Sequence, residues 1–142
     1  MFNTVEEASN FIYKSYVDTY KKINQELSDE FTRKNYLCLE LLEEVGRPDL
    51  RQHNILVTGS KGKGSISIIL AKILEGQGYN VGLFTSPHLI KYNERIRLNG
   101  AAILDQALID LINQLEPYIS AKLKKLKDDE YLGPVGLTAI IA

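Results

Sequence analysis

The stretch ILVTGSKGKGS, residues 55–65, limits the fold more than any other part of this chain. Before the glycines, NILVTG (54–59) is short, rich in β-branched residues and closed by glycine, which reads as a buried strand. After them, Ile66, Ile69, Leu70, Ile73 and Leu74 recur at the spacing of one helical face. EGQGYN then closes that helix, and VGLFTS (81–86) reads as a second strand. A helix that returns the chain to the same sheet implies parallel strands joined by a right-handed crossover. The expected class is therefore α/β, with a parallel sheet.

The glycines at the strand–helix junction have a chemical reading. A helix start carries unpaired N–H groups and the positive end of the helix dipole. Gly59, Gly62 and Gly64 let the backbone curl so that its amides point inward, as a phosphate cradle requires. Lys63 adds a mobile ammonium, Ser65 a hydroxyl at the helix start, and Ser60 and Lys61 complete the loop. The string G-x-x-G-K-G-S departs from the common nucleotide loop G-x-x-x-x-G-K-[ST], because here the lysine precedes the last glycine.

Composition narrows the partners. Formal net charge is −1 over 142 residues, so no global field recruits nucleic acid or an anionic membrane, and any anion site must be local. No apolar run reaches the length of a membrane span, and the acidic start MFNTVEEASNF lacks the features of a signal peptide. Cys38 is the only cysteine and sits among leucines at helical spacing, so it reads as buried filler in a protein of a reducing cytoplasm.

Upstream of the loop, Thr4 and Glu7 form a capping-box pattern, followed by a stripe of Val5, Ala8, Ile12, Tyr16 and Ile23. NQELSDEFTRKN breaks that pattern. A second helix carries Leu37, Cys38, Leu41, Leu42 and Val45 on one side, with Gly46 as its left-handed terminal residue and Pro48 blocking continuation. Downstream, PHLIKYNERIRLNG reads as an irregular loop with a short strand at RIRL. A further helix follows, with Leu104, Leu108, Leu111, Ile112 and Leu115 facing inward and KLKKLKDDE as a solvated tail. His53 reads as structural. His88 reads as a turn histidine held by backbone or touching substrate, and Arg95 as an exposed loop charge able to meet an anionic substrate.

VTGSKGKGS, GYNVGLFTSPHL and YNERIRLNG occur in that order at close spacing, after a helix end LLEEVGRPDL. Together they resemble the folylpolyglutamate synthase and dihydrofolate synthase family, the folate branch of the Mur-type ATP-dependent ligases. The resemblance implies a P-loop parallel-sheet nucleotide-binding fold of the Mur ligase central-domain type. In this chain it would be incomplete: residues 1–50 form a helical segment packed on the ATPase domain, and 51–142 its front part. It further implies ATP and Mg²⁺ as cofactors, and folate or dihydropteroate with glutamate as substrates. The reaction joins glutamate to a carboxylate through an acyl phosphate. Lys63 would face the β- and γ-phosphates, Gly59, Ser60, Lys61, Gly62, Gly64 and Ser65 would cradle them, and Ser86 and Ser65 would hold the metal. Asn93, Glu94 and Arg95 fall in a loop that covers the family's active site.

Three departures qualify that inheritance. Ser60 and Lys61 stand where the family usually has threonine and asparagine. Pro134 and Val135 fall where a phenylalanine–glutamate pair, with a metal-binding glutamate, is usual. The chain stops at Ala142, before the family's later strands and glutamate-binding domain. The expectation is a truncated front portion with negligible ligase turnover of its own, marginal stability and exposed sheet edges open to self-association, in place of the family's monomer. The alternative is an inactive relative that binds nucleotide or a protein partner.

Overall fold

The computed structural model describes residues 1–20, 26 and 32–142. Ile23 and most of NQELSDEFTRKN lie outside the described residues. Helix α1 spans Val5–Thr19. Thr4 Oγ1 accepts from the Glu7 amide at 3.1 Å, while the Glu7 carboxylate reaches back to the Asn3 amide at 2.9 Å. Two otherwise unpaired donors are thereby satisfied at the helix start, as the Thr4–Glu7 spacing predicts.

Helix α2 spans Asn35–Glu44. It ends as its sequence predicts: Gly46 has φ +85°, the Gly46 amide donates to Glu43 O, and the Arg47 amide donates to Leu42 O, each at 3.0 Å. This paired pattern is a Schellman cap, and Pro48 then opens a 3-10 turn, Pro48–Arg51. Helix α3 spans Lys63–Gly76, α4 Asp105–Leu123 and α5 Pro134–Ile141.

The sheet departs from expectation. Its strands are β1 (Gly82–Phe84), β2 (Ile96–Leu98) and β3 (Ala101–Ala102), in the order β1-β2-β3. Both pairings are antiparallel, with Phe84 opposite Ile96 and Leu98 opposite Ala101. Residues 54–59 form no ladder, so the parallel pair with a crossover helix is not formed among the described residues. Instead β1 pairs with the RIRL strand. Asn99 (φ +48°) and Gly100 (φ +78°) then turn the chain in two residues into β3, the positive-φ geometry that an Asn-Gly hairpin supplies.

The core is helical. Ala8 and Ile12 of α1, Leu37 and Leu41 of α2, Leu108, Ile112 and Ile119 of α4, and Leu137 and Ile141 of α5 form one buried cluster with Tyr92, Ile96 and Leu132. Cys38 packs against it as filler, and burial pushes its thiol pKa up. Gly136 is needed there, because a Cβ at that position would lie 2.7 Å from Cys38 Sγ.

Two corrections concern polarity. KLKKLKDDE is not simply a solvated tail: Lys122 is buried and ion-paired with Glu40, and Glu130 is buried and accepts from Tyr36 Oη at 2.7 Å. Conversely, the apolar stripe of α3 is not an inner face. Ile66, Ile69 and Ile73 are each more than half exposed, as are Ile55 and Leu56. Leu104, at the start of α4, is exposed as well.

Candidate functional site

Gly59 (φ +147°) and Gly62 (φ +78°) occupy backbone that side chains disfavour, and Gly62 caps α3 with no side chain bonded to its first turn. The amides of that turn are therefore left for another acceptor. Lys63 folds back over the loop, its Nζ donating to Gly59 O and, at 3.3 Å, to Ser60 O. The lysine thus points into the bend, and all of residues 58–66 are exposed. Gly64 differs from the other two: it has no positive φ, and a Cβ there would meet nothing within 4 Å. The protein itself does not require glycine at 64. An anion drawn close to the backbone would.

Ser86 lies beyond β1 in a turn whose Ser86–Pro87 peptide is cis. Its hydroxyl accepts from Arg95 Nη1 at 3.1 Å, and it shares no hydrogen bond with residues 59–65 among the described residues. Arg95 is not the exposed loop charge that its sequence position suggests; it is 5% exposed. Its Nε donates to His88 Nδ1 at 2.8 Å and its Nη2 to Tyr13 Oη at 3.0 Å, while its guanidinium lies 5.3 Å from the Tyr92 ring centre. His88 is therefore held by a guanidinium rather than by backbone. Burying an arginine here is tolerable because its donors find three acceptors and an aromatic face.

Asn93 and Glu94 also have structural partners. Asn93 Nδ2 donates to Ile103 O at 2.9 Å and to Asp105 Oδ1 at 3.1 Å. The Glu94 carboxylate accepts from the amides of Leu89, Ile90 and Lys91 at 2.9, 3.2 and 3.0 Å. Those bonds hold its pKa below the usual glutamate value. Residues 88–93 are thereby drawn into a strap facing α1, and a cleft of about 460 Å³ opens between them, lined in part by Tyr13, His88, Lys91 and Tyr92. The sequence held no signal for Tyr13, which looked like one more aromatic on an amphipathic helix. His53 is exposed, and no strand follows it. Val135 is 47% exposed and offers no side-chain oxygen. The described residues contain no group of three or more His, Cys, Asp or Glu able to hold a metal, and no helix among them is long and apolar enough to cross a membrane.

No family model matches the chain. Among curated proteins, it is 39% identical over 82 residues to a dihydrofolate synthase/folylpolyglutamate synthase of Bacillus subtilis, covering 58% of this chain and 19% of that protein. It is 37% identical over 92 residues to the folylpolyglutamate synthase of Lacticaseibacillus casei, covering 65% and 21%. Among solved structures, folylpolyglutamate synthase from Thermotoga maritima superposes with a TM-score of 0.79 at 25% identity, covering 97% of this chain and 29% of that one. A folylpolyglutamate synthase complex with AMPPCP and folate gives a TM-score of 0.72 at 28% identity, covering 98% and 31%. The chain thus spans about a fifth of the length of these curated relatives.

Proposed function

Because this chain is similar to the N-terminal portion of folylpolyglutamate synthase and dihydrofolate synthase proteins, we propose that it supplies the ATP-binding part of an ATP-dependent ligase of folate metabolism. In that reaction a carboxylate of folate or dihydropteroate takes the γ-phosphoryl group, and the amine of glutamate displaces phosphate to give an amide. Such chemistry asks the protein to position the nucleotide and neutralise charge, with no protein nucleophile. Within this proposal, residues 1–50 are the helical support and 51–142 the front of a P-loop domain.

The observation that carries the reading is Lys63, folded over the carbonyls of its own loop above the uncapped first turn of α3. Its bonds to Gly59 O and Ser60 O hold the ammonium over the bend, where exchanging neutral carbonyls for phosphate oxygens adds attraction between opposite charges to each bond. The free amides at the start of α3, flanked by Ser60, Lys61, Gly62, Gly64 and Ser65, take the remaining phosphate oxygens.

Ser65 and Ser86 offer neutral oxygens of the kind magnesium accepts, and no carboxylate cluster stands with them among the described residues. They are accordingly proposed as accessory ligands to an ion carried in on the nucleotide's phosphates, which would spread the charge of the transferring group. Titration calorimetry with AMPPCP tests the reading. Saturable heat that disappears in Lys63→Ala supports it, and flat heats with the unaltered chain overturn it.

Val135, which stands where the family usually has a metal-binding glutamate, favours a second reading, in which the chain binds nucleotide or a protein partner without turnover. Release of ADP dependent on both glutamate and folate would exclude that alternative.

A further inference from the structure

A guanidinium can only donate, and this fixes the chemistry of everything it touches. Arg95 donates to three side chains at once: Tyr13 Oη, Ser86 Oγ and His88 Nδ1. Each must accept from it, so each keeps its own proton for another partner. Tyr13 and Ser86 retain an O–H. The proton of a neutral His88 is forced onto Nε2. Among the described residues no carboxylate forms an ion pair with Arg95, although it is 5% exposed. The cluster therefore leaves each of the three groups with a proton to donate, around one buried guanidinium without an ion-pair partner among the described residues.

Tyr13 and His88 both line the cleft between α1 and the strap, together with Lys91. The rings brace one another: Tyr13 stands edge-on to Tyr92 at 6.3 Å between centroids, and His88 lies 5.6 Å from the same ring. Glu6 and Asp105 also line the cleft, with Asp105 already accepting from Asn93. An anion is thus favoured at the part formed by Tyr13, His88 and Lys91.

We propose that Arg95 is a positioning residue that sets Tyr13 and His88 as donors to an oxyanion, a carboxylate or a phosphate, bound in the cleft beside the strap. Nothing in this depends on the glycine loop holding nucleotide. The two ideas fail separately: flat AMPPCP heats with the unaltered chain overturn the ligase reading, whereas the measurements below address the cluster.

The test uses the isotopically labelled full chain and the long-range ¹H–¹⁵N correlations of the His88 ring. The expected pattern is an unprotonated Nδ1 and a protonated Nε2, retained in Arg95→Lys and lost in Arg95→Met. A wild-type ring protonated on Nδ1, or a pattern unchanged in Arg95→Met, overturns the proposal. Should Arg95→Met fail to fold, the wild-type pattern decides that arm. Titrations with glutarate and with inorganic phosphate then read the ligand. Saturable shifts of the His88 and Tyr13 rings with glutarate identify a carboxylate site, and shifts with phosphate alone identify a phosphate site. In either case Tyr13→Phe combined with His88→Gln should weaken binding about tenfold or more, since bonds to a charged group contribute about 1.5–3 kcal/mol each. No shift with either probe, or unaltered affinity in the double variant, overturns the assignment.

Discussion

Replacing Gly64 by alanine separates what the fold needs from what a ligand needs. Gly64 is the second residue of α3, has no positive φ, and a Cβ built on it meets nothing within 4 Å. Alanine in place of glycine inside a helix is worth about 0.5–1 kcal/mol, and a first-turn position should return the lower part of that range. Thermal unfolding should therefore move up by about 2 °C, using roughly 4 °C per kcal/mol for a chain of this size. Nucleotide binding should move the other way. A methyl group standing among the amides at the helix start keeps phosphate oxygens from the backbone, and loss of one such charge-assisted bond, about 1.5–3 kcal/mol, weakens AMPPCP tenfold or more. Gly62→Ala is the contrast, because at φ +78° the side chain itself is strained, at a cost of about 1–2 kcal/mol. Differential scanning calorimetry and titration calorimetry on both variants give the comparison. A Gly64→Ala protein that is more stable and still binds AMPPCP with unaltered affinity would refute the cradle.

Two further outcomes follow from buried and strap contacts. Thr138, fully buried, donates to Pro134 O and so accepts from Tyr92 Oη, both at 2.6 Å. Thr138→Val should cost about 1–3 kcal/mol in urea unfolding by stranding the Tyr92 hydroxyl, and adding Tyr92→Phe should recover part of that loss. Glu94 has a folded pKa below its ordinary value near 4.5, from the strap amides. Its contribution to stability is complete above that ordinary value and is lost as pH falls through the lower folded one. The amide resonances of 89–91 should titrate together in that acid range, and Glu94→Gln should abolish the step.

Local signals carried much of the fold. Thr4 with Glu7, and Gly46 ahead of Pro48, mark helix ends because capping is settled within a few residues. The glycine loop before α3 was legible for the same reason, as was the short strand at RIRL. The Asn99-Gly100 turn was equally local and was overlooked, so β3 went unrecognised. The other failures were questions of partner. Periodicity marks an apolar face on α3 but does not say what covers it, and Ile66, Ile69 and Ile73 remain exposed. A short β-branched run marks 54–59 as able to pair, yet a ladder needs a second strand at the right distance, and β1 finds β2.

By itself the sequence determined where α1 starts, where α2 stops, and that a glycine-rich bend with Lys63, Ser60 and Ser65 stands ahead of α3. These depend on φ preferences and on donors within one turn. The tertiary structure alone decided that Arg95 is buried, that Tyr13, 82 residues away, is its partner, and that Lys122 turns inward to Glu40. Contacts between distant segments follow from how helices pack, and no local pattern of residue types encodes which side chain will meet a guanidinium across the chain.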